Sequence, residues 1–106
     1  VAELHDMFTI LEFLQMEGLG FAEQGRAWEQ VTDGRTDRDG ELPVNTSGGL
    51  KSKGHPLGAS GVAQAYEIYE QLTGQAGARQ VPAETGLACN VGGFGNCVIT
   101  TVMEAR

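Results

Sequence analysis

The chain has 106 residues, with 14 acidic and 7 basic side chains and a formal net charge of −7. This length fits one domain, and an apolar fraction of 41% is ordinary for a globular chain. The acidity argues against a protein that follows nucleic-acid phosphates, and no apolar run reaches the roughly 20 residues that cross a bilayer. Two cysteines without C-x-x-C spacing predict neither a disulfide framework nor a zinc site, and favour a reduced, cytoplasmic compartment.

The first segment predicts the end of a strand followed by a helix. Residues 1–5 are short and mixed, and Asp6 is a candidate N-cap for a helix over residues 7–17 that stops at Gly18. Its apolar side chains are numerous enough to predict burial on most sides of the helix. The principal ones at helical spacing are Phe8, Leu11 and Leu14.

The next segment predicts a shorter helix and a polar loop. Residues 21–31 read as an amphipathic helix with Trp28 as a core anchor. Residues 32–41 are rich in turn formers and predict a surface loop, without the ordered ligand spacing of a calcium site. Residues 42–44 predict a brief extended piece.

The second half predicts a long helix and a final pair of strands. Residues 57–73 predict a buried helix, with His55 just ahead of it and Gly74 at its end. Residues 85–91 and 96–102 favour strands joined by a glycine turn. The order of elements predicts a layered α/β fold. The apolar stripe expected to face the core is formed by Val62, Ala65, Tyr66, Tyr69 and Leu72.

Sixteen glycines are the unusual feature of the composition, and many of them fall in two clusters. Residues 45–61 surround His55, and residues 89–95 begin with Cys89. Glycine allows positive φ and close approach of another chain or a ligand. His55 precedes a helix start and Cys89 ends a strand, so a histidine–thiol pair is a candidate site. His5 lies at a third element end.

These segments resemble the signatures of thiolases. Residues 45–49, N-T-S-G-G, and residues 54–61, G-H-P-L-G-A-S-G, resemble the family's N-x-x-G-G and G-H-P-x-G-A-S/T-G motifs. Residues 5–8, H-D-M-F, resemble the H-D-x-F element of the sterol-carrier-protein and archaeal branch, where other thiolases carry N-E-A-F. Residues 89–95, C-N-V-G-G-F-G, align without a gap to the C-x-G-G-G-M-G loop of most thiolases and equally to the H-N-I/L-G-G-x-G loop of that branch.

The resemblance implies an acyl-CoA C-acyltransferase, such as an acetyl-CoA acetyltransferase, that makes or cleaves 3-ketoacyl-CoA by Claisen chemistry. Coenzyme A thioesters are then substrates, and no cofactor or metal is expected. Carried over, His55 is the base that activates a nucleophilic cysteine of the N-terminal half, Cys89 is the acid/base at the α-carbon, and His5 lines an oxyanion hole. The expected substrate-binding residues are Val91, through its amide, Gly92, Asn45, Gly48 and Gly49.

The resemblance also implies part of the C-terminal half of the layered αβαβα thiolase fold. The N-terminal half with the nucleophile and the beginning of the C-terminal half are absent from these 106 residues, so the chain alone is expected to be inactive. Met7 stands where sterol-carrier thiolases often have a cysteine, and Val91 replaces the glycine of C-x-G.

Expected partners are acyl-CoA substrates, an N-terminal thiolase half, further copies in a homo-oligomer and an OB-fold acyl-CoA-binding protein, but neither nucleic acid nor membrane. Two alternatives stay open: a thiolase-fold aldolase acting on CoA-linked side chains, whose relatives lose the cysteines, and a non-catalytic acyl-CoA- or lipid-binding module. In the leading interpretation Cys89 and His55 converge on one pocket with His5 on its rim. Cys89 is then partly accessible and Cys97 buried.

Overall fold

A three-stranded sheet lies between two layers of helices in the computed structural model, which describes Val1–Arg106. The strands follow the order β1-β2-β3, with β1 parallel and β3 antiparallel to β2. None of the helices combines the length and apolar composition needed to cross a membrane. In chain order the elements are β1 (Ala2–Glu3), α1 (Thr9–Gly18), α2 (Ala27–Thr32), α3 (Gly49–Lys53), α4 (Ser60–Leu72), β2 (Thr85–Gly92) and β3 (Cys97–Glu104).

The alternation of side chains along β2 distributes neighbouring residues between the two helical layers. Cys89 packs in the hydrophobic core with Met16 of α1. Asn90, the next residue, bonds instead to Gln64 of α4. One face of the sheet is therefore covered by α1 and α2, and the other by α4.

The start of α1 differs from the sequence prediction. Phe8 is the N-cap residue and makes no side-chain cap, so the prediction that Asp6 caps this helix is wrong. The buried Asp6 carboxylate instead accepts a 2.6 Å hydrogen bond from the amide of Leu50 in α3. Predicted burial on most sides is also wrong, because Phe8 and Leu14 are more than half exposed.

The second predicted helix is shorter than expected and contacts the core differently. α2 covers only Ala27–Thr32, and Ala27 is its buried residue. Trp28 is 52% exposed, so its predicted role as a core anchor is wrong. Ala27 is the residue of α2 that joins the core cluster, and the neighbouring indole faces outward.

The long helix α4 forms as predicted, although it begins at Ser60, and His55 and Gly48 precede it on adjoining turns. Its orientation is the reverse of the prediction, because Val62, Tyr66 and Tyr69 are exposed. The buried face is polar, and every buried side-chain polar atom on it has a hydrogen-bond partner. The buried residues are Ser60, Gln64, Glu67, Ile68 and Gln71.

Two buried carboxylates, Glu67 of α4 and Glu3 of β1, bind the connecting loops through hydrogen bonds and ion pairs. Arg79 donates to Glu67 at 2.8 Å, and this bond with others outweighs the burial that would raise the pKa of Glu67, so the pKa is lowered. On the sheet, Glu3 accepts from the amide and hydroxyl of Ser47 and lies 3.5 Å from Lys53. Burial dominates there and raises the pKa of Glu3. The pair of Glu3 and Lys53 therefore holds the loop that leads to His55, and the pair of Glu67 and Arg79 holds the connection between α4 and β2.

Candidate functional site

A cleft of about 710 Å³ opens at the end of the sheet where parallel strands β1 and β2 both finish. Ligand sites in layered α/β folds concentrate at this end of the strands, because the loops that follow them converge there. Both histidines of the chain border the cleft. The polar and loop residues around it are His5, His55, Ser60, Asn90, Val91 and Gly92.

Hydrogen bonds to both the backbone and the ring of His5 fix its position. Its amide donates to Oε1 of Gln15 and its carbonyl accepts from Nε2 of the same side chain, both at 2.9 Å. The residue is 1% exposed. Its ring Nδ1 lies 3.2 Å from Nδ2 of Asn90. The glutamine clamp fixes where the chain leaves β1, and so fixes the ring at the cleft.

His55 reaches the same place from the loop between α3 and α4. Its ring meets that of His5 edge to face, with centroids 4.8 Å apart and an interplanar angle of 89°. Its Nδ1 lies 2.7 Å from Oγ of Ser60, the first residue of α4. The predicted convergence of His5 and His55 is therefore confirmed.

Electrostatics keep the buried ring of His5 neutral. Burial and the neighbouring His55 lower the pKa of His5, and the Asp6 carboxylate offsets this only in part. A neutral imidazole carries one N–H donor and one lone pair, so it can donate to a developing oxyanion.

The lowered pKa predicts a pH-dependent stability that a His5→Asn variant should lose. As pH falls through about 6.5, His5 gains a proton in the unfolded state before the folded state. The free energy of unfolding should therefore decrease more between pH 7.5 and 5.5 in the parent than in His5→Asn. Urea unfolding at the two pH values measures both slopes, and equal slopes would contradict a neutral buried His5.

The two cysteines have the opposite exposures to those predicted. Cys89 is 2% exposed, lies on the α1 side of β2, and its Sγ accepts from Oγ1 of Thr100 at 3.5 Å. Cys97, expected to be buried, is exposed at the start of β3. The prediction that Cys89 shares a pocket with the histidines is wrong because alternation along the strand presents Asn90 to the cleft instead.

Three of the predicted substrate-binding residues support the cleft without bordering it. Asn45, at φ 55°, accepts from the amide of Leu4 at 2.7 Å. Gly48 is the N-cap of α3, and Gly49 packs against Asp6. This loop thus fixes the chain on either side of His5 from outside the cleft. Val91 and Gly92, by contrast, do border it.

Comparison with known proteins assigns the fold. Residues 1–105 match the family model described as thiolase C-terminal domain-like. The chain belongs to the thiolase family. It is 53% identical over 96 residues to an acetyl-CoA acetyltransferase of Methanothermobacter thermautotrophicus, covering 90% of this chain and 25% of that protein. It is 48% identical over 105 residues to human sterol carrier protein 2, covering 98% of this chain and 19% of that protein.

A second archaeal relative, an acetyl-CoA acetyltransferase of Methanocaldococcus jannaschii, is 44% identical over 112 residues, covering all of this chain and 29% of that protein. The chain therefore spans less than a third of the length of each of these relatives. These matches agree with the sterol-carrier-protein and archaeal branch that the H-D-M-F element indicates.

Asn90 is the site residue that the sequence analysis missed, and a signal for it was present. With Cys89 aligned to the thiolase C-x-G cysteine, Val91 falls on the glycine. The H-N-I/L-G-G-x-G loop of the sterol-carrier-protein and archaeal branch, aligned without a gap, places its asparagine at Asn90, whose side chain faces the cleft. Ser60 and Gln64 carried no comparable signal.

Thiol labelling distinguishes the two cysteines directly. One equivalent of a small maleimide is expected to react rapidly with the native protein at Cys97, and the second only on unfolding, because Cys89 is packed in the core. Cys97→Ser should abolish the rapid phase. Rapid labelling that survives this substitution would mean that Cys89 is accessible.

Proposed function

We propose that this chain supplies the C-terminal catalytic part of an acyl-CoA C-acyltransferase that makes or cleaves 3-ketoacyl-CoA. The observation that carries the proposal is the edge-to-face pair of His5 and His55 at the strand-end cleft, beside the loop of Val91 and Gly92. Relatives named acetyl-CoA acetyltransferase support the same chemistry.

In the acylation step, a cysteine thiol of the N-terminal half gives its proton to His55. The thiolate attacks the thioester carbonyl carbon, and the departing CoA sulphur takes that proton back. The neutral ring of His5 donates an N–H hydrogen bond to the carbonyl oxygen of a thioester, and the negative charge on that oxygen increases during the reaction. Fixed donors of this kind contribute a large part of such catalysis because they need no reorganisation.

The carbon–carbon step needs a group that takes a proton from the α-carbon. Cys89 cannot be this group, because it lies on the α1 side of β2 and not on the side that faces the cleft. Met7 borders the cleft but its thioether has no proton to exchange. His55 is within the cleft and serves as the α-carbon base once acylation has returned its proton. Cys89, packed in the core, is therefore not proposed as this acid/base.

The absence of a thiol from the cleft lining gives the aldolase alternative a specific support. Retro-aldol cleavage of a CoA-linked side chain removes a proton from a hydroxyl, for which a histidine suffices, and forms no acyl-enzyme. Because Cys89 is packed in the core behind β2, its presence does not oppose this activity.

Acyl-enzyme trapping separates these functions. In the protein that joins this chain to an N-terminal thiolase half, acetyl-CoA is expected to add one acetyl group, detected by intact mass. Acetoacetyl-CoA should then be cleaved by CoA. Cleavage of a β-hydroxyacyl-CoA without an acyl adduct would favour the aldolase. Binding of acyl-CoA without turnover would favour a binding module, as the name sterol carrier protein 2 suggests for relatives.

The outward apolar side chains of α4 are proposed to contact the N-terminal half. Val62, Tyr66 and Tyr69 are each more than half exposed, and contiguous exposed apolar surface marks an interface. Sedimentation velocity at micromolar concentration should therefore show complex formation between the halves or self-association of the chain. A charged Tyr66→Asp variant should weaken association, whereas Val31→Asp on α2 should not. A parent chain that stays monomeric alone and does not bind the N-terminal half would contradict this prediction.

A further inference from the structure

We propose that α4 fixes His55 and His5 in opposite tautomers. Ser60 and Gln64, one helical turn apart on its buried face, act as the positioning residues. His55 then carries its proton on Nδ1 and presents the lone pair of Nε2, whereas His5 carries its proton on Nε2. The proton positions follow from hydrogen bonding alone, and only the roles assigned to the two rings rest on the proposed function.

The tautomer of His5 follows from a chain of hydrogen bonds that begins at a backbone carbonyl. The carbonyl oxygen of Cys89 can only accept, so the group 3.1 Å away on the Gln64 side chain is Nε2. Oε1 of Gln64 is then the acceptor for Nδ2 of Asn90 at 3.0 Å. The second hydrogen on that Nδ2 points to Nδ1 of His5, 3.2 Å away. Nδ1 must accept, and the neutral ring carries its proton on Nε2.

This assignment does not depend on a free choice of amide orientation. Side-chain amides can ordinarily be turned by 180° without changing their shape, which leaves donors and acceptors ambiguous. Here Gln64 is fully buried, and one end of its amide faces a peptide carbonyl, which can only accept a hydrogen bond. The NH2 group of Gln64 must therefore lie at that end. The orientation of Gln64 fixes that of Asn90, and Asn90 fixes His5.

The tautomer of His55 is inferred from the first turn of α4, where the hydroxyl of Ser60 has two neighbours, the Pro56 carbonyl and the His55 ring. The carbonyl of Pro56 can only accept, and Oγ of Ser60 lies 3.3 Å from it. The hydroxyl has a single hydrogen. Because the hydroxyl donates that hydrogen to the carbonyl of Pro56, its oxygen can only accept from His55. Nδ1 of His55, 2.7 Å away, is then the donor, and Nε2 keeps its lone pair.

Opposite tautomers give the two adjacent rings different chemistry. A ring with a free Nε2 lone pair can take a proton, and a ring with Nε2–H can donate to an oxygen. If both rings had the same tautomer, the cleft would hold either two bases or two donors at Nε2. The polar buried face of α4 therefore has a function beyond packing, since it assigns one role to each ring.

Two-bond 1H–15N spectra of the 15N-histidine-labelled protein test the assignment without measuring activity. Near neutral pH we expect a protonated Nδ1 in one ring and a protonated Nε2 in the other. His5→Asn should remove the Nε2–H pattern and so assign it. Two rings with the same tautomer, or the reversed pair, would overturn the proposal.

Substitutions then test the positioning residues. Asn90→Asp replaces a donor with an acceptor of the same shape, so Nδ1 of His5 should gain a proton. Ser60→Ala should lose the Nδ1–H pattern of His55, and Ser60→Thr, which keeps the hydroxyl, should restore it. Unchanged ring protonation in Asn90→Asp or Ser60→Ala would refute the role given to that residue.

Gln71→Met is the matched control, because Gln71 is a second buried glutamine of α4 and none of its hydrogen bonds goes to a histidine. This variant should lower Tm and leave both tautomers unchanged. A change in either tautomer would show that loosening α4 alters ring protonation without loss of a specific hydrogen bond, and would refute the roles given to Ser60 and Gln64. Opposite tautomers in a protein that forms no acyl-enzyme would uphold this inference and refute the proposed function. Identical tautomers in an active enzyme would do the reverse.

Discussion

Replacing His55 with alanine is expected to slow acylation by about 10²–10⁴-fold, the usual contribution of a positioned general base. The side chain lies in the cleft beside His5, and its removal leaves the nucleophile without a proton acceptor there. The release of CoA from acetyl-CoA in a single turnover, in the protein that contains an N-terminal thiolase half, measures this step. A normal rate would remove His55 from the acylation mechanism.

Cys89→Ser is the informative companion to that variant. A cysteine acting as α-carbon acid/base would spare acylation and block carbon–carbon bond formation when replaced. Because Cys89 is packed in the core behind β2, we instead expect both steps to continue and Tm to fall, since a hydroxyl replaces a buried thiol. A selective loss of the carbon–carbon step would return Cys89 to the mechanism.

The final loop shows how far motif spacing predicts a site. The motif located the strand end and its glycine turn, and both are where the sequence predicted them. It could not decide between Cys89 and Asn90, because two adjacent residues of a strand differ only in the face they occupy. The contact between Asn90 and Gln64 of α4, 26 positions away in sequence, shows that Asn90 is the residue on the α4 side, and such a contact leaves no local pattern.

Helix α4 shows a different limit. Its 3.6-residue periodicity correctly predicted a helix and an apolar stripe, but not the direction in which the stripe faces. Its opposite face is buried because each polar group has a specific partner, as Glu67 has Arg79. Buried polar groups are acceptable when they are paired, so apolar residues need not face the sheet. Periodicity alone cannot reveal partners that lie on other elements.

Gly49→Ala is expected to be the most destabilising single substitution in the loop that supports His5. Gly49 has φ +66°, a left-handed conformation that costs an alanine about 1–2 kcal/mol. Its added Cβ would also collide with the carboxylate of Asp6, whose Cγ would lie only 2.7 Å away. That carboxylate would have to give up the amide of Leu50, a hydrogen bond to a charged group worth about 1.5–3 kcal/mol.

The two contributions sum to a loss of about 2.5–5 kcal/mol in the free energy of unfolding, measured by urea denaturation. Gly74→Ala separates them, because Gly74 has φ +72° but no heavy atom within 4 Å of the added Cβ. It should lose only the about 1–2 kcal/mol of backbone strain. Since Asp6 adjoins His5, Gly49→Ala should in addition slow acylation, and Gly74→Ala should not. Equal losses of stability in the two variants would mean that the Asp6–Leu50 bond adds nothing to stability, and equal acylation rates would mean that it does not help to hold His5 at the cleft.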